Sequence, residues 1–356
     1  MIYPIVDRYF IVDFKLHVLN ISNIEKYDLQ KMYKIYDEWP KIARKSFEAN
    51  LTSIDFEGID HIVFAGMGGS GAIGDIFKSI LSKTKIHVNV VKGYILPNTV
   101  NSNTLVITIS VSGNTTETLA VLDLANKIKC KIIAFSSGGK MLDYCIKNKI
   151  EHRNIDYYHS PRASFTSYLY TILKVLHSAL KIKKEDILES IVELEKHKEK
   201  ISSSNLTNNN PSLNIAEQIS EISKIYYPFG LQSAAIRFKN SIQENVKLHA
   251  MIEDIIESCH NGIVSWERKS NVNPILITGK DDYIKTKERW EIIKKFFQEN
   301  KIEYIEIKSV EGNILSKIIT LIYILDYSTI YKSILDGFDP SPVKSIDIIK
   351  NKIKNK

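Results

Sequence analysis

Cysteine is the first scarcity. The chain carries only Cys130, Cys145 and Cys259 in 356 residues. The number is odd, and no C-x-x-C or Cys/His metal spacing occurs. That argues against a disulfide-stapled secreted scaffold and against the common zinc folds; it fits reduced thiols in a cytoplasmic protein. Long apolar runs are also missing. No stretch reaches about 18 uncharged apolar residues, and IITLIYIL (318–325) is too short to span a bilayer. Asp7, Arg8, Asp13 and Lys15 interrupt the N-terminal apolar residues before a signal-peptide core can form. Blocks of a single charge are absent apart from the short basic tail KSIDIIKNKIKNK. The net charge is +7, with Lys and Arg scattered among Asp and Glu, and no nucleic-acid-binding motif accompanies it. What remains is 44% hydrophobic and 25% charged, in a chain long enough for two domains. A mildly basic balance suits an anionic small molecule.

From residue 61 the pattern alternates. HIVFAGM (61–67), KIHVNVVKGY (85–94), TLVITIS (104–110) and KIIAFSS (131–137) read as strands. Between them, GAIGDIFKSILSK and TTETLAVLDLANKIK carry apolar residues at helical spacing. Apolar strands separated by amphipathic helices imply a parallel sheet covered on both faces. A charged helix and the linker-like SSSNLTNNNP follow within 183–223. A second strand–Gly–helix unit then begins: IYYPFG (225–230), the helix LQSAAIRFKNSIQENVK, strands NPILITG (273–279) and IEYIEIK (302–308), and a helix over 311–336. The expected division is an N-terminal extension and helix (1–50), a first α/β domain (51–182), a helical linker (183–223), a second α/β domain (224–330) and a tail helix (331–356).

Two loops carry chemistry. GMGGSG (66–71) formally fits the dinucleotide fingerprint, yet the next strand ends VVKGYILP with no carboxylate for a ribose hydroxyl. SVSGNTTE (110–117) is the second loop. Each follows a strand and opens a helix, whose free N–H groups and positive dipole end attract anions. Gly69, Ser70, Ser110, Ser112 and Thr115 can together match a phosphate monoester without a lysine. One such loop would read as an ordinary helix cap; two at neighbouring strand ends favour phosphate.

GMGGSG followed by SVSGNTTETL resembles the sugar isomerase (SIS) domain. ENVK (244–247), the H-N…I-V-x-W stretch (260–266) and PVKSIDIIK (342–350) narrow the resemblance to bifunctional phosphoglucose/phosphomannose isomerases, from about residue 32 onward. The resemblance implies two SIS-type doubly wound, flavodoxin-like parallel-sheet domains. It implies interconversion of glucose 6-phosphate, and of mannose 6-phosphate, with fructose 6-phosphate through a cis-enediol, with no cofactor and no metal. It matches Glu244 to the base, His260 to a ring-opening acid/base reaching the partner subunit's site in a homodimer, Lys350 to a contact with the ring oxygen, and Arg162 to the group that stabilises enediolate charge. Each match has a plainer reading: a helical carboxylate, a loop histidine, a solvated lysine, a surface arginine.

The chain departs from the family pattern in two places. Gly262 stands where Glu usually follows His-Asn, and MIEDIIESC lacks the usual Pro-Glu; Glu257 is a weak substitute carboxylate. Other SIS enzymes, such as an aminosugar phosphate isomerase, remain alternatives. So does a sugar-phosphate-sensing regulator, although no helix-turn-helix precedes the first strand. Residues 1–31 hold none of the proposed chemistry, so a chain starting at Met32 is expected to fold, although Tyr3, Phe10, Phe14 and Leu19 are able to bury area. No nucleic-acid or membrane partner is expected.

Overall fold

The computed structural model describes residues 19–354. Tyr3, Phe10 and Phe14 lie outside the described residues. Three helices open the described chain: α1 (Ile21–Tyr27), α2 (Met32–Asp37) and α3 (Trp39–Glu48). The first sheet then alternates with helices: β1 (His61–Ala65), α4 (Gly68–Leu81), β2 (His87–Val91), β3 (Leu105–Ser110), α5 (Thr116–Ile128), β4 (Lys131–Ser136), α6 (Gly139–Asn148) and β5 (Glu151–Asn154). Helices α7 (Phe165–Leu176), α8 (Lys184–Ile201) and α9 (Pro211–Gln218) follow. The second sheet region comprises β6 (Ile222–Tyr227), α10 (Gln232–Ser241), β7 (His249–Asp254), α11 (Ile255–Ser258), β8 (Val272–Thr278), α12 (Ile284–Glu299) and β9 (Ile305–Lys308). Helices α13 (Ile314–Leu335) and α14 (Lys344–Lys354) end it.

All strand pairs among the described residues are parallel. The first sheet has the order β2-β1-β3-β4-β5 and the second β7-β6-β8-β9. The first order is that of flavodoxin-like folds, and the two sheets make the doubly wound α/β expectation correct. Alternation along each strand explains the two-sided cover. Ile62, Phe64, Leu105 and Ile107 face the main core. Val63, Ala65 and Val106 face the other way, onto Val121 and Ala125 of α5. Strands β5 (EHRN) and β7 (HAMIED) lie at sheet edges with few apolar residues, which is why the hydrophobic pattern did not announce them. The expected strand over 302–308 is confined to its last four residues.

Helix α13 is the spine between the sheets, packing on α8, α9 and α10. By length and composition it is apolar enough to cross a bilayer, more so than IITLIYIL alone suggested. However, 89% of its apolar window is buried inside the fold. Its Tyr323 and Tyr327 meet Trp39 and Tyr36 from the N-terminal helices in an aromatic cluster.

Candidate active site

In an open parallel sheet, ligands sit where neighbouring strands send their connections to opposite sides. In the first sheet that point lies between β1 and β3. The two hydroxyl-rich loops leave these two strands there. Close packing explains their glycines. A Cβ on Gly71 would lie 2.7 Å from the Gly66 carbonyl. Gly113, at φ +67°, could not accept a side chain because the Gly138 carbonyl fills the space. The second loop is further held by the Val111 carbonyl, which accepts from the Ser137 N–H and the Tyr168 hydroxyl.

The hydroxyls are not spent as helix caps. Neither α4 nor α5 has a side-chain cap on its N-terminus. Thr115 occupies the cap position of α5, yet its Oγ1 pairs with Ser110 Oγ at 2.9 Å. Ser110 is buried, Thr115 half-buried and Ser112 exposed, so the loop offers donors from its floor to its rim. Two uncapped helix ends, with orphan N–H groups, thus converge beside a hydroxyl cluster.

Gly69 connects this end of the sheet to the rest of the site. A Cβ there would sit 3.5 Å from the Pro161 carbonyl and 3.6 Å from Arg237 Nη1. Next to Pro161 is Arg162, buried with 4% exposure. Four of the five N–H donors of its guanidinium are engaged. Nε donates to Asn245 Oδ1 at 2.7 Å, and Nη2 donates to the Pro340 and Ser341 carbonyls at 2.8 Å each. Nη1 donates to Glu244 Oε2 at 3.3 Å. Glu244 rides on a π-helical turn, Ile242–Val246, that interrupts the expected continuous helix. Such turns reset side-chain direction and recur at functional sites.

Sequence reading overlooked two groups that hold this arrangement. Lys247, at φ +67°, has an exposed stem, but its Nζ donates to the carbonyls of Glu244, Asn245, Asp339 and Pro340. Burial of the ammonium, with help from Arg162, pulls it down to about 8. Arg237 is the second, paired with fully buried Asp326 at 2.6 Å while donating to the Arg162 carbonyl. A lone Asp inside the apolar ILDYSTIY of α13 was the available signal, because a buried carboxylate needs a cationic partner. Ser241 and Tyr36 complete its hydrogen bonds.

A cleft of about 650 Å³ opens on Glu244 and Lys247 and is walled by Asn240, Phe338, Val343 and Lys344. The hydroxyl loops do not line it. A second cavity of about 340 Å³ lies at the carboxyl ends of β6 and β8, between Gly230, Gly279 and Lys83. His260 and Lys350 stand apart from both. Each is exposed, and among the described residues neither side chain makes a hydrogen bond or ion pair with Glu244 or Arg162. Glu257 is taken up by Asn261, which donates to its Oε1 at 2.6 Å.

The comparisons with known proteins agree in one direction. Residues 56–141 match the SIS domain model, and residues 208–353 match that of the bacterial phospho-glucose isomerase C-terminal SIS domain. The bifunctional phosphoglucose/phosphomannose isomerase of Caldicellulosiruptor bescii is 30% identical over 342 residues, covering 90% of this chain and 98% of that one. The chain belongs to this isomerase family. The Aquifex aeolicus member is 29% identical, over 92% of this chain and 99% of its own. The fold is shared more widely. The solved structure of a hypothetical protein from Thermus thermophilus superposes with a TM-score of 0.72 at 13% identity, over 94% and 92% of the two chains.

Set in the bifunctional phosphoglucose/phosphomannose isomerase family, the site divides in two. Arg162 holds Glu244, and through Pro161 it adjoins Gly69 of the first loop. His260 and Lys350 lie on exposed elements outside this group. Among the described residues no cluster of His, Cys, Asp and Glu is arranged to hold a metal ion.

Proposed function

We propose that this isomerase interconverts glucose 6-phosphate, and mannose 6-phosphate, with fructose 6-phosphate in the cytoplasm, a step shared by glycolysis and gluconeogenesis. The observation that carries this reading is the Arg162–Glu244 pair, which adjoins the first of the two uncapped, hydroxyl-rich loops at Gly69. The loops anchor the phosphate through Ser70, Ser110, Ser112, Thr115 and the N–H of Gly69, and that anchor delivers the reacting carbons to Glu244. After the ring opens, Glu244 removes the proton from C2 of the aldose, leaving a cis-enediol, and returns it to C1 to give the ketose. A carboxylate suits this because it takes and gives back one proton. Negative charge on the enediolate oxygens is met by the Arg162 guanidinium, fixed in advance by its four hydrogen bonds. The reaction moves a proton along one carbon skeleton, so its chemistry needs neither a redox cofactor nor a metal.

Ring opening falls to His260 and the ring-oxygen contact to Lys350, both supplied at a homodimer interface, with His260 reaching the partner's site. Two features support this arrangement. His260 is exposed and makes no hydrogen bond or ion pair with Glu244 of its own chain. Helix α14, which carries Lys350, leaves Ile346, Ile349 and Ile353 exposed on one face. The test is to incubate the protein, with EDTA present, with fructose 6-phosphate and follow both hexose 6-phosphates. Formation of glucose 6-phosphate and mannose 6-phosphate is expected. Turnover of glucosamine 6-phosphate instead would favour an aminosugar isomerase, and binding without turnover would favour a regulator.

A further inference from the structure

Gly262 has no conformational reason to be glycine, since it is absent from the positive-φ positions. Space is the reason. A Cβ on Gly262 would lie 2.3 and 2.5 Å from the two carboxylate oxygens of Glu253 and 2.7 Å from its Cδ. The Glu253 carboxylate therefore points its two oxygens at the backbone two residues after His260. Glu253 is itself fixed. It projects from β7 and pairs with Lys224 of β6 at 2.6 Å, both side chains being about four-fifths buried. The Lys224 ammonium sits 5.7 Å from the Tyr226 ring centroid. The Tyr226 hydroxyl accepts from Trp266 Nε1 at 2.8 Å, closing the far end of the same loop. The near end is closed by Asp254, whose Oδ1 caps the single turn α11. His260 is thus carried on a short arch. Its feet are Asp254 and Trp266, and the Glu253 carboxylate presses on its crown.

We propose that Glu253 is a positioning residue for His260, setting the pose of the arch through its contact with Gly262. This rests on the reading of His260 as the ring-opening group. The carboxylate comes from the strand below the arch, at the place where the resembling family carries one on the arch itself. A glycine at 262 is what makes room for it. An arch braced by a salt-bridged carboxylate holds the imidazole where a sugar's ring oxygen is delivered, and a displacement of about 1 Å costs on the order of 10²-fold in rate.

The experiment uses two ketoses. Fructose 6-phosphate closes its ring through O5. Its 5-deoxy analogue has no O5 and a phosphorylated O6, so it stays open and needs no ring opening. Solvent deuterium incorporation at C1 is followed for both. Gly262→Ala and Glu253→Ala are each expected to lose about 10²-fold with fructose 6-phosphate, with the 5-deoxy analogue unaffected. The double variant, whose brace is already lost, is expected to be no more impaired than either single variant, because both act through the same contact. Wild-type rates for both single variants with fructose 6-phosphate would overturn the proposal, as would equal losses with both ketoses. His260→Ala separates this from failure of the underlying reading. Equal loss of both ketoses in His260→Ala removes the ring-opening role itself. A split in His260→Ala with none in the Glu253 and Gly262 variants removes only the positioning role.

Discussion

Ser110 and Thr115 show what a hydroxyl does when it is not needed as a cap: the two bond each other and wait at an uncapped helix end. If they meet a phosphate, each lost donor should weaken binding. Ser110→Ala, Ser112→Ala and Thr115→Ala are each expected to cost about 1–3 kcal/mol in fructose 6-phosphate affinity by calorimetry. Normal affinity in all three would mean that the loop is only structural. Arg162 and Glu244 were legible from motif likeness, but their 3.3 Å contact was not. The contacts of Lys247 and the choice of Arg237 as the partner of Asp326 were illegible for a physical reason, although the lone buried Asp of α13 was itself a signal. The partners lie up to 93 residues away in sequence, beyond any local pattern. His159 gives a pH dependence. It is half-buried at φ +53°, with Nε2 3.4 Å from Ser341 Oγ. Burial, then the charge of Arg162, hold its imidazole below the usual 6.5. Below pH 6.5, down to that lowered value, the unfolded chain binds more protons than the folded one, so stability falls as pH falls. Thermal midpoints should therefore drop less steeply on acidification in His159→Gln than in wild type. Parallel curves would exclude His159 as a source of acid sensitivity.

At the scale of elements, helices and central strands were readable because their apolar residues repeat with period 3.6 or fill short continuous runs. The edge strands β5 and β7 were not, since EHRN has no apolar residue and HAMIED only a three-residue apolar run, whereas the edge strands β2 and β9 keep valines or isoleucines in register. The π turn at 242–246 was equally invisible, because it is imposed by packing on α13 and the pull of Lys247 on two carbonyls. The N-terminal helices change one expectation. Leu19 and Ile24 are buried in the main core. Asp28, also buried, accepts the N–H groups of Met32 at 3.0 Å and Tyr33 at 2.8 Å, capping α2 from outside. A chain starting at Met32 loses two buried aliphatic side chains and a cap, on the order of 4 kcal/mol. Its thermal midpoint should fall clearly, while fructose 6-phosphate turnover persists in the folded fraction. An unchanged midpoint would show that these contacts contribute little.

For the whole molecule, strand–Gly–helix repetition was enough to read two parallel sheets, and the motif-bearing loops fall at the switch point of the first. A surface for a second copy has no period in sequence, so the proposed dimer rests on exposed groups alone. Under the proposed function, the exposed arch of His260 and the exposed apolar residues of α14 belong to a site completed by another chain. That makes subunit mixing the most direct test of the account. Glu244→Gln alone removes the proposed base and His260→Ala alone the proposed ring opener, and each is expected to fall about 10²–10⁴-fold in fructose 6-phosphate turnover. When the two variants are unfolded and refolded together, half the dimers pair one of each, and every such dimer holds one intact site, so about a quarter of wild-type turnover should return. Near-wild-type turnover in Glu244→Gln, or a mixture no more active than its components, would contradict the account.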